Sequence, residues 1–252
     1  MKLLLKVASL LFAFAAVFSA QATVIVAPNV NATTEGISNN LIPFDLGTTG
    51  LRYQQRTSAS EFGVLSGPSH ITAIAFRRDA SFTLPTFSFN YSSITLGLST
   101  LTTALTNNFA ANRGSDFTVV YSGSLSVSVP GVTSGIGPNP FDFVISFQTP
   151  FLYDPIQGDL LWEFQNFSTF SDTSQLILDY IPSTTPILDR LYATSPMAAT
   201  GTVQSSGLVT RFTIPEPISL AMVGLGLAGL SCQRRRLKTC RVTINIDRLG
   251  YV

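Results

Sequence analysis

Apolar and polar residues alternate with a period of two through the middle of the chain. Phe141, Phe143, Ile145 and Phe147 alternate with Asp142, Val144, Ser146 and Gln148, and Leu125, Val127 and Val129 alternate with Ser124, Ser126 and Ser128. Successive side chains of an extended backbone point to opposite faces, so each run offers one face to a core and the other to water. Related patterns predict strands over 71–77, 87–100, 117–121, 160–167, 175–181 and 208–214. In the last of these Leu208, Thr210, Phe212 and Ile214 share a face. Turn-forming clusters stand between them, among them the Gly- and Pro-rich 132–140 and Asp154-Pro155 with Gly158. Many short strands separated by polar turns predict an all-β fold, an antiparallel β-sandwich of jelly-roll type. Only 101–109 departs from the pattern: Leu101, Leu105 and Phe109 are spaced as on a helix, or lie in a loop that buries its Phe.

Both ends of the chain have a different texture. Lys2 and Lys6 precede an apolar stretch over 7–18, and Ala20-Gln21-Ala22 follows with small residues at the two positions that a signal peptidase reads. These twelve residues are short for a hydrocarbon core of roughly 30 Å, which needs about 20. Residues 1–22 are therefore expected to be an export signal, cleaved by signal peptidase before Thr23.

At the other end Pro215-Glu216-Pro217 stops the last predicted strand, because each proline fixes φ and removes a backbone donor. Fourteen uncharged residues follow over 218–231, then Cys232-Gln233 and the cluster Arg234, Arg235 and Arg236. As a helix the apolar run would extend roughly 21 Å at about 1.5 Å per residue, a short transmembrane helix. Arginines directly after such a run hold that end in the cytoplasm and leave the body outside. Gly224 and Ala228 add a small-residue face suited to helix contact in lipid.

Pro215-Glu216-Pro217, the Gly-rich apolar segment over 220–230 and Arg234 to Arg236 resemble the PEP-CTERM sorting signal of bacteria. The resemblance implies a partner, exosortase, an integral-membrane cysteine protease-transpeptidase that recognises and processes such tails. It also implies export by a cell that makes exopolysaccharide, and an association with biofilm or floc material. In physical terms, a short helix parks the tripeptide at the outer membrane surface while the arginines set its depth. One departure stands out: members of the family end soon after the arginines, whereas here a basic extension over 237–252 follows. If it impairs processing, the protein stays anchored in the membrane. The body is similar to that of other PEP-CTERM proteins in Arg52-Tyr53-Gln54-Gln55, Ile74-Ala75-Phe76-Arg77 and 148–153, a likeness that brings no catalytic residue with it. A eukaryotic lipid-anchor signal would lack the basic cluster; a plain single-span anchor would need no processing.

Charge then separates the parts. Over 23–217 there are seven arginines, thirteen acidic residues and no lysine, a net charge of −6, while the residues beyond carry +5. An acidic body argues against nucleic acid as a partner, since phosphate binding relies on dense Lys and Arg. Both cysteines, Cys232 and Cys240, lie beyond the body, so the sandwich over 23–213 must be held by burial without disulfides.

The chemistry available in the body is sparse. His70 is the single histidine, which excludes His-rich metal sites. Ser69 beside it would point to the opposite face of a strand, and no Gly-x-Ser-x-Gly elbow is present. Asp154, Asp159 and Glu163 fall within ten residues and are expected to be solvated. Their other readings are a glycosidase pair or, with Asp172, a calcium site that lacks the Asp-rich loop. Trp162, in the alternation Leu160, Trp162, Phe164, reads as core before sugar platform. Neither cofactor nor metal ligand set is expected. The sequence therefore predicts a noncatalytic cell-surface or matrix protein, with exopolysaccharide as a candidate partner. A carbohydrate-binding module is the alternative, and a secreted hydrolase a more distant one.

Overall fold

The computed structural model describes residues 22–44, 49–169, 176–182 and 187–215. Among these residues thirteen strands carry the fold: β1 (Thr23–Ala27), β2 (Ser38–Asn40), β3 (Thr49–Thr57), β4 (Ser69–Phe76), β5 (Phe87–Leu101), β6 (Thr118–Val129), β7 (Phe143–Tyr153), β8 (Asp159–Thr169), β9 (Leu178–Pro182), β10 (Leu188–Ala193), β11 (Thr202–Gln204), β12 (Ser206–Leu208) and β13 (Thr210–Ile214). Among the described residues helical structure is confined to two single 3-10 turns, Asn29–Ala32 and Ala59–Phe62.

Every pairing is antiparallel. One sheet has the order β1-β13-β4-β7, a second β11-β10-β3-β8-β5-β6, and a small third β12-β9-β2. Four of the pairs are nested along the chain: β5 with β6, outside them β4 with β7, then β3 with β8, and outermost β1 with β13. The two larger sheets share one core. Phe76, Phe143 and Ile145 from the first meet Trp162, Phe164 and Leu96 from the second, all nearly inaccessible. Phe44 wedges between them, with ring centroids 4.9 Å from Phe76, 4.6 Å from Phe143 and 4.7 Å from Phe164. Truncating a ring so placed costs about 3–5 kcal/mol, because the surroundings collapse only partly into the space left.

Alternation accounts for most of these strands. Leu125, Val127 and Val129 are buried while Ser124, Ser126 and Ser128 are exposed, and Leu208, Thr210, Phe212 and Ile214 all face inward. The segment over 102–109 is a loop, and Leu105 and Phe109 are buried with Leu101, Leu161 and Leu191 in a second, smaller core. That core explains why β8 departs from simple alternation: residues 160–164 are buried throughout.

Strand β3 has the least apolar sequence of the interior, Thr-Gly-Leu-Arg-Tyr-Gln-Gln-Arg-Thr. Its inward Gln55 is fully buried and behaves like a neighbouring backbone. The amide oxygen accepts from Leu208 N–H at 2.8 Å and the amide nitrogen donates to Leu208 C=O at 3.0 Å. Tyr53 O–H donates to the same amide oxygen at 2.6 Å, and burial holds this phenol well above its ordinary pKa. Gly207 lies against the Gln55 amide where a Cβ would collide, so a larger residue would break the pairing. Gln148 plays the same part at the surface, with its amide bonded to both Ser122 N–H and Ser122 C=O at 3.1 Å. It thereby ties β7 to β6, edge strands of two different sheets.

Candidate functional site

The residues singled out for chemistry are dispersed. His70 is exposed on β4, and the neighbouring Ser69 hydroxyl donates to Gly67 C=O at 3.1 Å, so the two do not meet as nucleophile and base. Trp162 is fully buried, its ring 4.9 Å from Tyr53 and 5.5 Å from Phe76. Tyr53, Tyr91, Tyr153 and Tyr180 are buried and Tyr121 and Tyr192 half-buried. Among the described residues no Trp or Tyr ring therefore lies open for a sugar to stack on.

Asp154, Asp159 and Glu163 go three separate ways. Asp154 closes its own turn by accepting from Ile156 N–H at 3.1 Å. Asp159 accepts from Arg56 at 2.6 Å and from Ala59 N–H at 2.8 Å, which pins β3 to β8. Glu163 corrects the expectation of a solvated carboxylate: it is 2 % exposed and accepts five hydrogen bonds. Two come from Arg52 at 3.0 and 2.9 Å, two from Arg113 at 3.0 and 2.6 Å, and one from Gln54 at 2.6 Å. The guanidinium groups are themselves seated over rings, Arg52 4.5 Å from the Phe109 centroid and Arg113 4.1 Å from that of Phe117. A carboxylate whose oxygens are all occupied and which faces two cations has neither a free lone pair nor a second carboxylate beside it. It is a structural anion, the polar complement of the small second core.

A second acidic group has the opposite balance. Glu35, Asp79 and Asp179 lie far apart in sequence, yet each offers a carboxylate oxygen within 4.8 Å of the others. Asp79 and Asp179 are completely buried and Glu35 half-buried. Among the described residues Arg77 is the guanidinium bonded to this group: its Nε donates to Asp179 Oδ2 at 2.7 Å, and its terminal nitrogens donate to Asn31 C=O and Thr34 C=O at 2.8 and 2.6 Å. Burial pushes the Asp179 carboxyl up to about 6, against the pull of Arg77, and the negative charge of Glu35 adds to the push. Sequence spacing gave no hint of this cluster. Its one local trace is the charged tripeptide Arg77-Arg78-Asp79 at the end of β4.

The two ends of the sandwich meet. β1 begins at Thr23, opposite Ile214 of β13, which the exposed Pro215 follows. The residue expected to follow signal cleavage and the residue leading into the tripeptide thus lie at the same end of one strand pair, next to the exposed Ala22. Ala20, Glu216, Pro217, Arg234, Arg235 and Arg236 lie outside the described residues, as do the apolar run over 218–231 and the extension over 237–252.

Residues 213–236 match the family model of the PEP-CTERM protein-sorting motif. The chain carries a PEP-CTERM sorting signal. None of the curated proteins or solved structures compared with it matches significantly. The motif implies export, a membrane-anchored precursor and processing by exosortase. The match takes in Pro215, Glu216, Pro217 and all three arginines of the cluster, and it begins at Thr213 inside β13. Among the described residues no helix is long and apolar enough to cross a membrane.

Proposed function

We propose that this chain is a noncatalytic component of the cell surface or extracellular matrix, exported behind a signal peptide cut before Thr23 and processed by exosortase at its PEP-CTERM tail. The match over 213–236 carries the reading, since it attaches a sorting signal directly to the last strand of a sandwich. In this reading the apolar run over 218–231 is a short transmembrane helix that holds Pro215-Glu216-Pro217 at the outer surface, with Arg234 to Arg236 on the cytoplasmic side. The sandwich is a jelly roll, supported by the nested pairing of β5–β6, β4–β7, β3–β8 and β1–β13, a single long antiparallel ribbon wound into two sheets.

A noncatalytic role fits the saturation of Glu163 and the engagement of the Ser69 hydroxyl with Gly67 C=O beside the exposed His70. Exopolysaccharide is the partner this reading favours. Contact would be through hydroxyl and amide groups such as Ser88, Asn90, Ser126 and Ser128, which line an open depression on the β5–β6 surface. The alternative of a carbohydrate-binding module with a stacking platform is disfavoured by the burial of Trp162.

The test is processing. Expressed in a host that contains exosortase, the wild-type chain should be converted from a membrane-bound precursor to a shorter mature form. Replacement of Pro215, Glu216 and Pro217 by alanine should leave the precursor uncut in the membrane fraction. Equal processing of both would remove the sorting reading. Deleting 237–252 shows whether the extension slows the conversion.

A further inference from the structure

Glu35, Asp79 and Asp179 are held by their surroundings in a common way. Asp79 Oδ1 accepts from Ser81 N–H at 2.7 Å, Glu35 Oε1 from Ala80 N–H at 2.9 Å and Asp179 Oδ1 from Gly36 N–H at 2.9 Å. Each carboxylate is thus oriented through one oxygen by a backbone donor. The second oxygens of Asp79 and Glu35, Oδ2 and Oε2, are buried and have no hydrogen-bond partner. Asp79 as a residue is wholly inaccessible, so its bare oxygen is a buried acceptor that water does not reach. An orphan of this kind costs several kcal/mol if the group is ionised, unless a positive charge meets it. Gly137 leaves room beside Glu35 Oε2, and Gly36 beside Asp179 Oδ1; a Cβ at either position would crowd the carboxylate.

We propose that these three carboxylates form a cation site and that its occupant is Ca²⁺. Three properties select it. The donors are all carboxylate oxygens, the chemistry of hard cations, with no imidazole or thiolate to favour a transition metal. Among the described residues the three carboxylates are bonded to one guanidinium, that of Arg77, an excess of negative charge that a divalent ion offsets. The ligand oxygens all lie within 4.8 Å of one another, close enough for one ion with bonds of about 2.3–2.6 Å to touch all three. Mg²⁺, with bonds near 2.0–2.1 Å, demands near-ideal octahedral geometry and usually keeps several waters, so a carboxylate set built around the wholly buried Asp79 suits the more permissive Ca²⁺. The half-buried Glu35 provides the way in.

The site would work as a staple. Glu35 belongs to the segment between β1 and β2, Asp79 to the segment after β4, and Asp179 to β9 of the small sheet. One ion would tie three separate parts of a domain that has no cysteine between Thr23 and Pro215. It would also remove the internal repulsion that Asp79 and Glu35 otherwise bring to the fold.

The test uses the full chain, purified in detergent and stripped with EDTA, with the fluorescence of Trp162, the sole tryptophan, as the unfolding signal. Extracellular calcium modules bind at about 10⁻⁴–10⁻³ M, so CaCl2 at about 10 mM should raise the Tm by roughly 5–10 °C. Equilibrium dialysis with radioactive calcium should saturate near one ion per chain. Asp79→Asn and Glu35→Gln should each abolish the binding and the calcium-dependent shift. Both should also melt higher than the wild type in EDTA, a gain that a merely structural carboxylate would not give. Glu35→Gln, at the more exposed position, supplies the reading if Asp79→Asn does not fold. Absence of bound calcium at about 10 mM, or binding undiminished in both variants, overturns the proposal. A shift from MgCl2 equal to that from CaCl2 overturns the choice of ion.

Discussion

Among the described residues a lone buried carboxylate and a buried acidic trio show opposite balances of charge. At Glu163 one carboxylate receives five hydrogen bonds and faces two arginines. At Glu35, Asp79 and Asp179 three carboxylates are bonded, among the described residues, to the guanidinium of Arg77 alone, and two of their oxygens are bare. The first is complete without a ligand; the second is short of positive charge. What distinguishes a structural anion from a candidate site is therefore the balance of donors to acceptors, since burial is common to both.

Mutation should separate the two by sign. Glu163→Gln leaves Arg52 and Arg113 partly buried without their counter-charge and should destabilise the chain by about 3–5 kcal/mol in urea unfolding. Asp79→Asn in EDTA should act the other way. A loss of stability comparable to that of Glu163→Gln would mean that the acidic trio is already satisfied.

Smaller effects test the two glutamines. Gln55→Ala strands the buried Leu208 N–H and should cost about 1–3 kcal/mol. Gln148→Ala removes bonds that solvent can replace. It should leave global stability within about 0.5 kcal/mol while hydrogen exchange at the Ser122 amide accelerates.

The same contrast explains what could be read from the chain alone. β6, β7 and β13 are legible because one face meets the core and the other is open or half-open to water, which writes the period of two into the sequence. β3 was hidden because its interior is polar. Arg52, Gln54 and Gln55 are buried as hydrogen-bond partners, and Gly50, at φ 76, sits at a break in the register with β8. Spacing of Leu101, Leu105 and Phe109 suits a helix and a loop equally, and the loop won because Phe109 C=O and the Asn112 side chain are engaged by Gln54. Glu163 was misjudged as solvated because its arginines come from positions 52 and 113, beyond the reach of any local pattern. The acidic trio was invisible for the same reason, its members being joined only when β4 and β9 are in place. The sorting signal, by contrast, is linear: membrane thickness and charge placement act on consecutive residues, and three ordered parts suffice to display it.

On the proposed function this sandwich travels outward and loses its tail. Mass spectrometry of both termini, on protein recovered separately from the cytoplasm, the membranes and the medium of an exosortase-containing host, follows that journey. The expected mature form begins at Thr23 and lacks Arg234, Arg235 and Arg236. A cytoplasmic protein that still carries Met1 and the arginine cluster would contradict it.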